Sequence, residues 1–190
     1  MSENYKNGEI SAMTAGDLDT LVKLHEEYIN YGEGIRPHFD KLLRDPESVA
    51  MKYSLDGEII GIDIFMRGVM LSNDGHGIAE RITQLANGKK IYTADAVLVK
   101  REHRKTGVAD RLCAATLGEM RRRGVQYILY ELWVYPNGYV PARRLVEVFE
   151  KKTFLGRYEN FYRDFHHFGY VCPVCGEGCV CGAEVYLAEL

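Results

Sequence analysis

Apolar positions recur along the chain with two periods, and their alternation lays out an ordered series of helices and strands. Leu18, Leu21, Val22, His25, Tyr28 and Ile29 follow one another at three- and four-residue steps, as on a helix with one buried stripe. Thr14-Ala15-Gly16-Asp17 has capping-box spacing just before that stripe, and Gly32 and Gly34 end it. Ile10-Ser11-Ala12-Met13 reads as a short strand in front, and Pro37 to Asp45 as a second, shorter helix. Val49–Tyr53 and Glu58–Met66 flank Asp56-Gly57, a dipeptide that accepts the positive φ angles of a tight hairpin turn. From Arg67 to Lys90 the pattern blurs into glycine- and asparagine-rich segments around a helix at Ile78–Ala86, an excursion from the sheet that reads as a lid or a dimer contact.

The second half is sharper. Ile91 to Val99 ends in Ala96-Val97-Leu98-Val99, as a strand buried on both faces does. Arg101 to Ala109 turns from it into a helix carried by Val108, Leu112, Ala115 and Met120 and capped by Gly124. Tyr127 to Tyr135 is a further strand, closed by Pro136-Asn137-Gly138. Pro141 suits the first position of a helix, and Leu145, Val148 and Phe149 predict that helix running up to Gly156. Tyr158–Phe168 and Ala183–Leu190 read as a final strand pair. The expected architecture is a mixed α/β sheet flanked by helices, in one domain spanning residues 1–190 with a cysteine-rich knuckle at residues 170–183.

Composition narrows the partners. With 24 Lys and Arg against 27 Asp and Glu, the net charge of −3 supplies no global basic field for a nucleic-acid backbone. No run approaches the roughly 20 apolar residues of a membrane span, and Met1 to Gly16 lacks the apolar core of a secretory signal, so a cytoplasmic location is expected.

The densest chemistry lies at Arg104-Lys105-Thr106-Gly107-Val108-Ala109, between the buried strand and a helix start. Amides of a first helical turn have no intrahelical acceptor and carry the positive end of the helix dipole, so a pyrophosphate can sit there, with Gly107 letting the backbone approach closely. The competing reading is a plain turn with an exposed basic cluster. Here the chain resembles the GNAT superfamily of acyl-CoA-dependent N-acetyltransferases, whose pyrophosphate loop reads Arg or Gln, two residues of any kind, Gly, any residue, then Gly or Ala. Arg104, Gly107 and Ala109 fit that pattern, and the element order follows the family over about residues 8–168 and the last strand.

The resemblance implies a splayed sheet and transfer of an acetyl group from acetyl-CoA to a primary amine of a small molecule or peptide, by direct attack in a ternary complex. It implies that the backbone of Val97, Leu98 and Val99 pairs with the pantetheine arm, that Arg104, Lys105, Thr106, Gly107, Val108, Ala109 and Asp110 surround the pyrophosphate, and that Asn137 is the asparagine often found after the fifth strand. It also implies dimers among the oligomeric states. Attack on the thioester needs a neutral amine, so a base must take its proton. Glu131 and Asp95 stand on the fifth and fourth strands, where members often keep such a base; each could instead be a salt-bridged strand residue. The family's tyrosine acid falls on Phe149, which has no proton to give, leaving Tyr139 or Tyr135 to reach the sulfur, or the thiolate to depart unassisted.

Cys172, Cys175, Cys179 and Cys181 form a CxxC-x3-CxC array with glycines between, able to wrap a tetrahedral ion in the manner of a zinc knuckle. A reversible disulfide pair and a ferrous site are the rival readings. Four protein ligands leave no open coordination position, so zinc there would be structural. His166 and His167 on a strand would face opposite ways, so at most one would join the cysteines, and Cys113 reads as a small core residue. A non-catalytic acyl-CoA sensor, or a zinc-stabilised interaction module, is the alternative to an enzyme.

Overall fold

A computed structural model describes residues 5 and 7–190; the reading of Met1 to Gly16 as lacking a secretory leader lies partly outside these residues. Seven strands form one sheet: β1 Glu9–Ala12, β2 Val49–Leu55, β3 Glu58–Arg67, β4 Ile91–Val99, β5 Tyr127–Val134, β6 Lys152–Tyr158 and β7 Gly182–Glu189. Their spatial order is β1-β2-β3-β4-β5-β7-β6, antiparallel at every junction except β4–β5. The helices are α1 Leu18–Tyr28, α2 Ile35–Arg44, α3 Ile78–Ala86, α4 Val108–Arg122 and the single turn α5 Arg144–Glu147. No helix among the described residues is long and apolar enough to cross a membrane.

The layering follows the period-two alternation of the strands. Ile62 and Ile64 of β3 bury against Leu21, Leu24, Ile35 and Phe39 of α1 and α2 on one face. Ile128, Tyr130 and Leu132 of β5 meet Met120 of α4 on the other. A third cluster joins Leu129 of β5, Ile78 and Ile82 of α3, Leu155 of β6 and the cysteine segment. The excursion at 67–90 is therefore folded into the core through α3. At the chain's start the Thr14 amide donates to Asp17 Oδ2 (2.7 Å), and Lys52 Nζ reaches the other oxygen at 2.7 Å, so the capping pair also ties the first helical turn to β2.

Two elements depart from the pattern expected after Pro141. The helix is one turn only, and Val148 is 64 % exposed, not buried. Lys152–Tyr158 pairs antiparallel with β7 instead, the ladder interrupted at Phe154/Gly156, so Gly156 marks a bulge in a strand and not a helix cap. Of the segment read as a strand at Tyr158–Phe168, only Tyr158 is in one, as the last residue of β6; the rest is a run of turns ending in a 3-10 helix, Phe165–Phe168. Its aromatic residues were a pattern for burial: Phe161 and Tyr162 fill the third cluster without a neighbouring strand edge to pair with.

One buried charge has a measurable consequence. Asp63 on β3 is 2 % exposed, and its Oδ2 has no hydrogen-bond partner. Thr116 and Cys113 of α4 lie beside it, but Thr116 gives its hydroxyl proton to the Leu112 carbonyl (2.9 Å). Burial pushes the Asp63 carboxyl up to about 7, only partly offset by those two neighbours. The folded state thus keeps a proton that the unfolded chain has lost. The stability this contributes is complete below the unfolded value of 3.8 and is lost as pH rises through about 7. Asp63→Asn, equal in size and uncharged, is expected to remove this loss, raising the melting temperature by several degrees at pH 8 and little at pH 4. Melting curves that stay parallel for both proteins across that range would contradict the assignment.

Candidate functional site

β4 and β5 are hydrogen-bonded only at their beginnings, through Ile91↔Tyr127, Tyr92↔Ile128 and Thr93↔Leu129. Both strands run on, to Val99 and Val134, so the sheet opens into a V whose inner edges have no strand partner. The cause lies on the other side of β4. Ile64 pairs with Ala96 and Phe65 with Ala94, which leaves Asp95 as an extra residue with no partner on β3. Such a bulge bends the strand and re-aims its side chains. Val97, Leu98 and Val99 remain paired to β3 along one edge while the other faces the opening.

The turn after β4 stands at the open end of that V. Lys105 and Gly107 both take left-handed φ angles, 62° and 86°, which swing successive amides toward one side before α4 begins. Among the described residues the amides of Lys105, Thr106, Gly107, Val108, Ala109 and Asp110 meet no acceptor within the protein; the first bond of the helix is Arg111 N to Gly107 O. The side chains around them hold the loop. Arg104 Nε donates to Val99 O (3.0 Å) with its guanidinium over the Tyr28 ring, and Thr106 Oγ1 donates to His103 O (2.6 Å). Arg104 therefore braces the turn, and the amides are what it offers to an anion.

Asp95 and Glu131 face the same side of the split, the side of α1, α2 and α3. Glu131 Oε2 accepts from the Ser72 amide (3.0 Å), and the Tyr162 hydroxyl is beside it. Burial raises the Glu131 carboxyl above its ordinary value; bonds from Ser72 and Tyr162 pull the other way, and the Asp95 charge adds to the rise. Asp95 Oδ1 is 2.9 Å from His38 Nε2 on α2. Burial works to lower the imidazole, but the Asp95 bond and charge outweigh it and hold His38 above its usual value. Neither His38 nor Ser72 stood out in the sequence: each reaches its carboxylate across more than fifty residues, and no local spacing encodes such a contact. Tyr139 stands apart, 60 % exposed, its amide bonded to Asn137 Oδ1 (3.0 Å) in the turn after β5 and its ring against Tyr135. Phe149 is buried against Tyr130, so no acid occupies its place. Cys113 is half-buried on α4, where burial first and the Asp63 charge second suppress its ionisation.

The cysteines gather between β6 and β7. All four sulfurs lie within 4.8 Å of one another, Cys175 and Cys172 standing 3.6 and 3.9 Å from Cys181, with no disulfide among them. A tetrahedral ion with bonds of about 2.3 Å to sulfur needs edges of about 3.8 Å. The amides of Val174 and Cys175 both donate to Cys172 Sγ at 3.4 Å, as the turn Pro173–Gly176 directs them. The Trp133 indole N–H of β5 is buried without an oxygen or nitrogen partner and stands beside the Cys181 sulfur, where a metal-bound thiolate would satisfy it. The donor set fits a soft divalent ion. His166 and His167 lie ring against ring in the 3-10 helix, 4.0 Å apart and tilted by 44°, and are not in the set.

The knuckle is also tied to the other wall of the site. Val171 N donates to Tyr31 O (2.7 Å) and Gly34 N to Gly169 O (3.0 Å), joining its leading arm to the loop before α2. The seam is too close for side chains: a Cβ on Gly34 would lie 2.2 Å from the Phe168 carbonyl oxygen. Trp133, Tyr162, Phe165 and Tyr170 then form a continuous aromatic line from Cys181 to His38.

The acetyltransferase (GNAT) family model matches residues 18–150. No curated protein matches the chain. Among solved structures, Arabidopsis thaliana NAA60 in complex with acetyl-CoA is similar at 16 % identity and a TM-score of 0.68, covering 97 % of this chain and 99 % of that one. The ribosomal-protein-S18-alanine N-acetyltransferase from Escherichia coli is similar at 14 % identity and 0.62, covering 96 % and 93 %. An agmatine N-acetyltransferase mutant is similar at 10 % identity and 0.64, covering 97 % and 100 %. At these identities the likeness is one of fold.

Proposed function

Because this chain belongs to the acetyltransferase (GNAT) family, we propose that it moves an acetyl group from acetyl-CoA to the primary amine of a small molecule or a peptide. The observation that carries this reading is the opening of β4 from β5 beyond Thr93, with six unbonded amides at its mouth. The pyrophosphate of acetyl-CoA binds the amides of Lys105–Asp110, and the pantetheine arm runs along the open edge of β4 at Val97–Val99. The thioester then lies in the split on the side that Asp95 and Glu131 face. Their negative charge draws in the acceptor's ammonium group and favours loss of its proton on that face. The amine attacks the thioester carbon, the carbon–sulfur bond breaks, and the thiolate takes a proton from Tyr139 or from water at the mouth. Asn137 shapes that mouth by holding the Tyr139 amide.

Zinc is the ion that suits the four cysteines, and with every position taken by sulfur it holds the β6–β7 connection in place and leaves the chemistry to the split. The whole chain then acts as one cytoplasmic acetyltransferase domain.

Release of free CoA from acetyl-CoA, followed with a panel of diamines, polyamines, aminoglycosides and short peptides, tests the proposal. At least one amine is expected to gain an acetyl group by mass. Glu131→Gln is expected to lower kcat/KM for that amine by about 100-fold with acetyl-CoA affinity unchanged, since only the charge is removed. A panel that releases no CoA beyond the enzyme-free rate would contradict the reading, as would a Glu131→Gln protein of full activity.

A further inference from the structure

His38 lines a groove that opens to solvent. That groove, about 570 Å³, lies between the first turns of α2 and the segment 167–170, with Glu33, Pro37, His38, Lys41 and Tyr170 among the residues that line it. The imidazole's two nitrogens are differently placed. Nε2 faces Asp95 Oδ1 at 2.9 Å, and an ionised carboxylate can only accept, so Nε2 carries the hydrogen. In the neutral ring the lone pair therefore sits on Nδ1, which makes no hydrogen bond among the described residues.

We propose that His38 is the general base of the transfer, positioned by Asp95. The inference rests on the acetyltransferase reading and assigns a residue to the proton step. The ammonium group gives one proton to His38 Nδ1, and the neutral nitrogen bonds to the thioester carbonyl carbon. As the carbon–sulfur bond breaks, the amine's second proton passes to water, and the thiolate takes one from Tyr139 or from water and leaves as CoA thiol. Acetyl-CoA and an alkylammonium ion thus yield the N-acetyl amine, CoA thiol and one proton, which His38 passes to water in the groove. Asp95 acts through the imidazole, by fixing its tautomer and supporting the imidazolium.

The groups facing His38 set its hold on a proton. Asp95 raises it, while Lys41 on its own helix lowers it. His25 of α1 is held neutral, its burial lowering it to about 4. Tyr170 is held in its protonated form, chiefly by burial, and Glu131 lies beyond Asp95. The transfer rate is then expected to climb with pH as His38 loses its proton.

Three proteins test this: the unaltered enzyme, His38→Gln and His38→Ala, with acetyl-CoA and an amine the unaltered enzyme accepts. Glutamine can still donate to Asp95 but cannot take a proton. It is expected to lower kcat by about 100-fold, leave acetyl-CoA affinity unchanged and flatten the acid limb of the pH profile. Added imidazole is expected to restore part of the rate in His38→Ala. Histidine proton-NMR titration supplies a check independent of turnover: the His38 signal should titrate above the ordinary range and fall in Asp95→Asn. A His38→Gln enzyme with the unaltered rate and pH limb would overturn this assignment alone; failure of the unaltered protein to acetylate any amine would overturn it together with the acetyltransferase reading.

Discussion

Replacing Gly107 with valine is expected to weaken acetyl-CoA binding by at least about 100-fold while leaving the fold in place. Gly107 sits at φ 86°, a left-handed angle that costs an L-residue about 1–2 kcal/mol and a β-branched one more. The cheapest relief is rotation of the peptides on either side, which turns the Gly107 and Val108 amides out of the row of six. Each hydrogen bond to a charged phosphate group is worth about 1.5–3 kcal/mol, so losing two exceeds the roughly 2.7 kcal/mol that a 100-fold change represents. The turn is exposed, and α4 keeps its buried contacts through Val108, Leu112, Thr116 and Met120. Calorimetric titration with acetyl-CoA checks this, with Gly118→Ala as the control, since a Cβ on Gly118 of the same helix meets no neighbouring atom within 4 Å. Undiminished affinity in Gly107→Val would mean that the pyrophosphate binds elsewhere.

The second large effect concerns the cysteines. The purified protein is expected to carry about one zinc ion per chain, and its removal by a strong chelator to lower the melting temperature by about 10 °C. Structural zinc sites contribute several kcal/mol of folding free energy, and a chain of this size loses about 2–4 °C per kcal/mol. The damage should spread in a set direction. Cys172 follows Val171, which pairs with Tyr31, and Gly169 pairs with Gly34 at the start of α2. Loss of the ion therefore loosens the wall that carries His38 before it reaches the turn at Gly107, and the acceptor's KM should rise at chelator concentrations where acetyl-CoA still binds. Metal analysis, melting curves and titration of both substrates follow this. A metal-free protein that melts unchanged after chelation would remove zinc from the account.

What the sequence could convey divides along physical lines. Local signals were sound where local forces decide: the Asp56-Gly57 hairpin, the capping pair Thr14 and Asp17, and the passage from a buried strand through Gly107 into α4 all stand where their chemistry puts them. After Pro141 the same reasoning failed because the helix ends at Glu147 and the chain passes into Lys152–Tyr158, which is held by β7, a partner about thirty residues away that local helical spacing does not encode. The clustering of the four cysteines was legible because they are close in sequence, and their sulfurs are close in space as well. The carboxylates were legible as unusual strand residues, but their common orientation was not, since it comes from the single extra residue in β4 opposite Ile64 and Phe65. His38 carried no mark at all: a histidine on a short helix gains meaning only when the bulge turns Asp95 toward it.

The central claim is that acetyl-CoA lies in the open V, its pyrophosphate on the turn and its arm along β4. Backbone amide NMR of the isotope-labelled protein, titrated with acetyl-CoA, tests this residue by residue. The account predicts saturating shifts at Lys105–Asp110 and along Ala94–Val99, with the amides of the far edge strand β1 unmoved. Shifts confined to other surfaces, or none at millimolar acetyl-CoA, would contradict it.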